Sequence, residues 1–150
     1  EVLLDEVGIP ALACLVNARE IIDRKGKNQE LWIGGGLNTG ADFAKALALG
    51  ADAVFCATPL LVALGCIQCN LCYTGKCPVG IATQDPNLTS KLNIEEAARN
   101  VAHFIKNVTE EIKIITAACG EDNIHNLNKG HLRALTTEIS QISKVKFIGD

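Results

Sequence analysis

A cluster of cysteines in the middle of the chain constrains its fold more than any other feature. Four of the seven cysteines lie within the segment 66–78, which reads C-x2-C-x2-C-x4-C-P. Soft sulfur ligands on an irregular backbone select zinc, copper(I) or iron–sulfur clusters. The spacing is one residue longer than the iron–sulfur pattern C-x2-C-x2-C-x3-C-P, whereas zinc sites more often use two CxxC pairs with a longer insert. The pattern therefore indicates an iron–sulfur site whose candidate ligands are Cys66, Cys69, Cys72 and Cys77.

Composition and charge limit the partners. With 150 residues and 48% hydrophobic content, the chain has the size and core of one domain. A net charge of −3 argues against nucleic acid or an anionic membrane as a partner. The apolar stretches are too short to span a bilayer, and the cysteine usage favours metal-bound thiolates in a reducing cytoplasm over disulfides. Because the chain contains no Met, we expect a piece of a longer polypeptide or a processed product.

Alternating helical and strand patterns indicate an α/β fold with parallel strands. The pattern predicts, in order, a helix Ala11–Lys25, a strand Glu30–Ile33, a helix Ala41–Leu49, a strand Asp52–Ala57 and a short helix that reaches Leu64. Because two strands alone do not form a stable sheet, the remaining strands must come from elsewhere.

The second half of the chain is predicted to be helical. One long helix runs from Ile94 to Ala118, and Asn93 and Glu96 form its capping pair. The residues after Glu121 form a small helical tail with two short amphipathic pieces, at 124–127 and 132–142. In the first half, Thr39 with Asp42 forms a second capping box, and Thr58 is predicted to cap the short helix.

Two predicted strand ends together favour a phosphate site. Gly34, Gly35 and Gly36 follow the first strand, where their backbone lets a ligand approach and their N–H groups can face an anion. The second strand ends at Ala57 and Thr58, just before a helix N-terminus. In (β/α)8 barrels, phosphates lie between the loops of strands 7 and 8 and a short extra helix. This pairing favours phosphate binding over a simple tight turn.

The other reactive side chains carry no predicted chemistry. Three cysteines inside predicted helices or strands are expected to be buried: Cys14, Cys56 and Cys119. The three histidines lie far apart, with no carboxylate or serine at a suggestive spacing. The catalytic residues therefore stay unassigned.

Two stretches of the sequence resemble a known family. The stretch GGGLNTGADFAKALALGADAV, followed by ATPLLVALGCIQCNLCYTGKCPVGIATQDPNL, is similar to the FMN-binding synthase domain of glutamate synthase large subunits, particularly the archaeal-type proteins. The first stretch is shared with several FMN barrels, whereas ALGC-x5-C-x4-CPVGIATQ is far more specific. The similarity runs from about Val7 to Pro86 and continues more loosely through the long helix.

The resemblance implies the C-terminal portion of a (β/α)8 TIM barrel. Strand 7 would be Gln29–Ile33, strand 8 would be Asp52–Ala57, and Ile94–Ala118 would be the last barrel helix. Residues 1–65 would form a barrel segment with the phosphate-binding loops, residues 66–86 the cluster loop, and residues 87–150 the last barrel helix and the helical tail. The implied partners are the missing barrel portion of the same protein, a glutaminase domain, and an NAD(P)H-oxidising subunit or ferredoxin as electron donor.

The resemblance also implies two cofactors, FMN and an iron–sulfur cluster. The family's C-x5-C-x4-C pattern falls on Cys66, Cys72 and Cys77, which would hold a [3Fe–4S] cluster. Cys69 is an additional thiol, with which a four-ligand [4Fe–4S] site is the alternative. The family's phosphate-binding backbone maps to Gly35–Gly36 and Ala57–Thr58. At two positions the chain departs from its relatives: Gly34 stands where many related flavin barrels carry Asp, and Ala57 stands where the family usually has Gly.

The implied activity is that of a glutamate synthase. Electrons would pass through the cluster to FMN, for reductive formation of glutamate from 2-oxoglutarate and glutamine-derived ammonia. One alternative is a transferase of the same domain family that modifies glutamate. Another is a non-enzymatic iron–sulfur or zinc module, which iron and sulfide analysis would distinguish.

Overall fold

The computed structural model describes residues 7–26 and 28–150, so the chain's first six residues, part of the predicted 1–65 segment, lie outside the described residues. The helices are α1 (Ala11–Arg24), α2 (Gly40–Ala48), α3 (Thr58–Ala63), α4 (Pro86–Thr89), α5 (Ile94–Ala118) and α6 (Thr137–Ser143). The strands are β1 (Trp32–Ile33) and β2 (Ala53–Val54), and single turns of 3-10 helix lie at Cys72–Thr74, Ile124–Asn126 and Lys129–His131.

The chain forms two compact units. One contains the residues up to Phe55 together with Glu111–Asp150, and the other is Cys56–Glu110. Helix α5 contributes residues to both units. Whether the chain divides functionally at residues 65 and 86 stays a prediction.

The first unit contains a parallel pair of short strands. Trp32 pairs with Ala53 and Ile33 with Val54, which confirms the predicted parallel arrangement. The ladder continues through the N–H of Phe55, which donates to the carbonyl of Ile33 at 2.9 Å. Both strands are shorter than predicted, because each finds a ladder partner on one edge only within the described residues. Their place in a (β/α)8 barrel stays a prediction.

Helix α2 connects the two strands and supplies the core of this unit. Its start is the predicted capping box: Thr39 Oγ1 accepts the N–H of Asp42 at 3.1 Å, and the Asp42 carboxylate accepts the N–H of Thr39 at 3.1 Å. Its buried face packs with the tail residue Leu127 and with half-buried residues of β2, α5 and the tail. The residues of this cluster are Ala44, Leu47, Ala48, Val54, Ile112, Ile115, Cys119, Ile124, Leu127 and Leu132.

Helix α1 packs beside the strands and contacts α6. Leu15 and Val16 are buried, and Glu20 forms an ion pair with Lys144 at the end of α6. Cys14 in α1 is exposed, so the prediction that it is buried was wrong; Cys56 and Cys119 are only half-buried.

The second unit contains α3, the cysteine loop, α4 and the first part of α5. Helix α5 has the predicted bounds, and Asn93 Oδ1 accepts the N–H of Glu96 at 3.2 Å, as expected for its cap. The predicted cap of α3 was wrong by one residue, because Ala57 takes the cap position and Thr58 is the first helical residue. None of the helices found in residues 7–26 and 28–150 combines the length and apolar character that a membrane span requires.

Candidate functional site

The glycine loop after β1 requires glycine at two positions for its backbone. Gly35 has φ +122° and Gly36 has φ +69°, values that other L-residues rarely adopt. The side-chain amide of Asn38 donates to the carbonyl of Gly36 at 3.0 Å and holds the turn. The loop is therefore a fixed turn with exposed backbone at the carboxyl end of the strand.

Gly34 is required for a different reason, which is space. A Cβ at this position would lie 2.2 Å from Cε2 of Phe55, whose ring rests on the glycine. Phe55 is nevertheless 59% exposed. An Asp at position 34 would displace the ring. Sequence reasoning missed Phe55, although an aromatic residue near the end of one strand beside a glycine at the end of its neighbour was a usable signal.

The other two predicted phosphate-binding residues lie in the second unit. Ala57 and Thr58 are exposed at the start of α3, where the carbonyl of Ala57 accepts the N–H of Leu61 at 2.9 Å. Each half of the predicted phosphate site is accessible to solvent. That Gly34–Gly36 and Ala57–Thr58 form one site stays a prediction.

Both ends of the cysteine loop line the same cavity. Leu64 and Gly65 precede the first cysteine, and Pro78 and Val79 follow the last one. These four residues and the start of α5 line a cavity of about 320 Å³. The N–H of Cys66 donates to the carbonyl of Leu61 at 2.9 Å, which ties the start of the loop to α3.

Between these ends the backbone turns sharply after each of the first two cysteines. Gln68 has φ +52° and Asn70 has φ +56°. This left-handed conformation costs most non-glycine residues about 1–2 kcal/mol, and asparagine adopts it more readily. The N–H of Gln68 points back to the sulfur of Cys66 at 3.4 Å. Backbone strain of this kind often accumulates at ligand-binding sites.

The four cysteines differ in exposure. Cys72 is exposed and Cys66 and Cys69 are half-buried, whereas Cys77 is buried at 4% exposure. Hydrogen bonds from backbone N–H groups, that of Ala82 above all and those of residues 79–81 as well, lower the pKa of the Cys77 thiol, and burial opposes them. The backbone after Cys77 therefore favours its thiolate, the form in which cysteine binds metals.

Two residues that sequence reasoning did not single out hold this backbone in place. Gly80 has φ +82°, and a Cβ there would lie 2.5 Å from the carbonyl oxygen of Leu88. Thr83 is buried at 9% exposure, and its hydroxyl accepts the N–H of Asp85 at 3.1 Å. Asp85 in turn caps α4 through the N–H of Asn87 at 2.9 Å.

The donor chemistry of the loop suits a soft metal centre. All seven cysteines are free thiols. Four of them lie on one loop whose two ends line the same cavity. Backbone hydrogen bonds lower the pKa of one of these thiols, that of Cys77, and hydrogen bonds to the ligand sulfurs are common in iron–sulfur proteins. Within the part of the chain that the structure describes, no three Cys, His, Asp or Glu side chains are gathered closely enough to hold a metal ion. Cluster binding at this loop would therefore require at least two of the other sulfurs to converge on Cys77.

Comparison of the sequence with known proteins finds similar proteins of one family. Residues 1–122 match the family model described as the conserved region in glutamate synthase. The glutamate synthase large subunit-like protein of Rhizobium meliloti (strain 1021) is 37% identical over 167 residues, covering 99% of this chain and 38% of that protein. The archaeal glutamate synthase [NADPH] of Methanocaldococcus jannaschii is 43% identical over 139 residues, covering 90% of this chain and 27% of that protein.

A third relative has similar coverage. The archaeal-type glutamate synthase [NADPH] of Dehalococcoides mccartyi (strain ATCC BAA-2266) is 39% identical over 156 residues, covering 100% of this chain and 31% of that protein. The chain thus spans between 27% and 38% of the length of these three relatives.

Proposed function

Because the chain belongs to the glutamate synthase family, we propose that it is part of a glutamate synthase-type flavoprotein and contributes residues to an iron–sulfur site and to an FMN site. The observation that carries the proposal is the cysteine loop. It presents four free thiols between two ends that line one cavity, and one of the four, Cys77, is already buried.

In this proposal, the cysteine loop holds the cluster. Cys66, Cys72 and Cys77 are the ligands of a [3Fe–4S] cluster, because they match the family spacing. Cys69 is a fourth thiol on the same loop and would turn the site into [4Fe–4S] if it ligated. The turns at Gln68 and Asn70 set the direction in which the chain leaves each of the first two cysteines.

The glycine loop holds the phosphate of FMN. Gly35 and Gly36 expose backbone N–H groups at the carboxyl end of β1, and Ala57 and Thr58 do the same at the start of α3. Backbone N–H groups carry no competing negative charge, so they suit a phosphate dianion. The absence of a carboxylate at Gly34 removes a source of repulsion from that anion.

When bound, the cluster and FMN supply one-electron transfer and hydride transfer, the chemistry that reductive formation of glutamate from 2-oxoglutarate and glutamine-derived ammonia requires. The missing barrel portion and a glutaminase domain would supply the substrate and the ammonia. The names of two of the three relatives specify NADPH, which supports a pyridine nucleotide-oxidising subunit as the electron donor over ferredoxin.

Substitution of single cysteines tests the cluster assignment. We expect Cys72→Ser to abolish the cluster and Cys69→Ser to leave most of it, because Cys69 has no counterpart in the three-cysteine pattern. Iron and sulfide counting with electron paramagnetic resonance on the anaerobically purified protein gives the answer. Equal loss in both variants would replace the [3Fe–4S] assignment with a four-cysteine site.

The same measurements distinguish the rival classes. A colourless protein that carries zinc and no sulfide would refute the redox proposal and leave a zinc-stabilised module. A complete protein that contains this chain and its missing portions, holds both iron and FMN, and still consumes no reduced pyridine nucleotide with 2-oxoglutarate and glutamine would point to the glutamate-modifying transferase.

A further inference from the structure

We infer that Gly80 is a positioning residue that packs the 78–82 segment against α4 and keeps Cys77 buried, so that Cys77 is the preformed anchor to which the other cysteine ligands are gathered. The inference rests on the proposed function, in which the loop binds an iron–sulfur cluster. It assigns a role to a glycine and to the segment after the last cysteine, and it sets Cys77 apart from the other three thiols.

The first observation is the difference in environment among the four cysteines. Cys77 is the buried one, at 4% exposure, and the turn after it is closed by the N–H of Gly80, which donates to the carbonyl of Cys77 at 3.2 Å. Cys72 is exposed, and the other two cysteines are half-buried. A side chain that is already enclosed needs little rearrangement to bind a metal, whereas Cys72 must first leave solvent.

The second observation is that Gly80 meets two independent requirements. Its φ of +82° lies in the left-handed region, and a Cβ would come within 2.5 Å of the Leu88 carbonyl oxygen and 3.3 Å of the Leu92 N. Both contacts are with backbone, which cannot swing aside as a side chain can. Any other residue at position 80 would therefore push the 78–82 segment away from α4.

The third observation is that hydrogen bonds hold the backbone on both sides of Gly80. The N–H of Gly80 donates to the carbonyl of Cys77 at 3.2 Å and closes the turn. Thr83 is buried and accepts the N–H of Asp85, whose carboxylate caps α4. The segment is therefore held by hydrogen bonds at both ends.

This arrangement has a chemical consequence for the loaded site. Hydrogen bonds to a ligand sulfur stabilise negative charge on it, and they are one of the factors that set the reduction potential of an iron–sulfur cluster. Loss of the N–H groups around Cys77 should therefore lower the potential of the cluster, even in a variant that still assembles it.

The chain offers a matched control for the test. Gly75 also has a positive φ, +69°, but an added Cβ there meets nothing within 4 Å. Gly80→Ala and Gly75→Ala therefore introduce similar backbone strain, and the first alone adds a collision with backbone. Any difference between the two variants reports on the packing of the 78–82 segment against α4.

The decisive measurement uses the full chain without metal, under reducing conditions at one fixed pH. Thiols are labelled with N-ethylmaleimide, and each cysteine is quantified by peptide mass spectrometry. In the unsubstituted chain we expect Cys77 to react roughly tenfold or more slowly than Cys72, because labelling requires local opening. Gly80→Ala should abolish most of that protection, and Gly75→Ala should preserve it.

Hydrogen exchange of the amides of residues 79–82 gives a second readout that does not depend on thiol chemistry. These amides should exchange faster in Gly80→Ala and not in Gly75→Ala. If Gly80→Ala does not fold, Thr83→Val provides a milder change, which removes one hydrogen bond and should accelerate both labelling of Cys77 and exchange of these amides.

The outcomes separate the inference from the proposed function. Equal labelling of Cys77 and Cys72 in the unsubstituted chain, or equal exposure in both glycine variants, would overturn the role of Gly80. A chain that shows the expected protection but binds no iron would leave the positioning role of Gly80 intact and refute the cluster. In the loaded protein, a lower cluster potential in Gly80→Ala with Gly75→Ala unchanged would uphold both.

Discussion

Asp52 connects three elements at the beginning of the strand pair, and its removal should destabilise the chain. Its Oδ2 accepts the backbone N–H of Leu31 at 2.7 Å and the Nη1 of Arg19 at 3.1 Å. The backbone N–H of Asp52 donates to the carbonyl of Leu31 at 2.8 Å. One carboxylate thus links α1 to the residues that precede β1 and β2.

The size of the effect follows from exposure. A hydrogen bond to a charged group contributes about 1.5–3 kcal/mol to stability, and the Asp52 side chain is 40% exposed, so water replaces part of the interaction. We expect Asp52→Ala to lower the free energy of unfolding by about 1.5 kcal/mol. Asp23 binds the same Arg19 at 2.9 Å but is 64% exposed, and Asp23→Ala should cost about 0.3 kcal/mol.

Urea unfolding of the two variants and the unsubstituted chain, followed by circular dichroism, measures the difference. Asp52→Asn is a useful intermediate, since its amide oxygen still accepts the N–H of Leu31 while the ion pair with Arg19 is lost. We expect it to fall between the other two variants. Equal destabilisation by Asp52→Ala and Asp23→Ala would refute the reasoning, because both aspartates contact Arg19 and only Asp52 also bonds the backbone.

Two further substitutions test other parts of the first unit. Backbone hydrogen bonds, that of Asn38 first, hold the pKa of the Asp42 carboxyl below its ordinary value. The stabilisation by this carboxylate is therefore present above about pH 4 and is lost as the pH falls through the folded-state pKa. Asp42→Asn should cost about 1 kcal/mol at neutral pH, and in unfolding measured against pH the difference in stability between the variant and the unsubstituted chain should disappear in acid. Gly34→Ala should cost about 1 kcal/mol of stability because the added methyl group meets the Phe55 ring. In a double-mutant cycle, the same substitution in a Phe55→Ala background should lose most of that cost. A cost that persists without the ring would mean that the backbone, and not the ring, excludes a side chain there.

Local signals in the sequence predicted the elements that depend on local interactions. The capping pair Asn93 and Glu96, the apolar stripe behind it and Gly120 placed both ends of α5 correctly. Thr39 and Asp42 did the same for the start of α2. Hydrogen bonds between residues three apart decide these features, so the sequence contains what is needed to predict them.

Features that depend on distant contacts were predicted less well. Cys14 lies within a predicted apolar helix, but α1 buries Leu15 and Val16 instead, and nothing local distinguishes the two faces. The contact between Gly34 and Phe55 joins two strands, and the contact between Gly80 and the Leu88 carbonyl joins a loop to a helix. Both contacts are visible only once the chain is folded, although Gly34 lies in the predicted phosphate-binding loop and Gly80 lies in the predicted cluster loop.

The short helix α3 determines how the two proposed cofactor-binding stretches are related within the second unit. It begins at Thr58, the proposed phosphate contact, and its six residues rise by about 9 Å at 1.5 Å per residue. The N–H of Cys66 then binds the carbonyl of Leu61 in that helix. The first proposed cluster ligand is therefore hydrogen-bonded through its backbone to the helix that begins at the proposed phosphate contact.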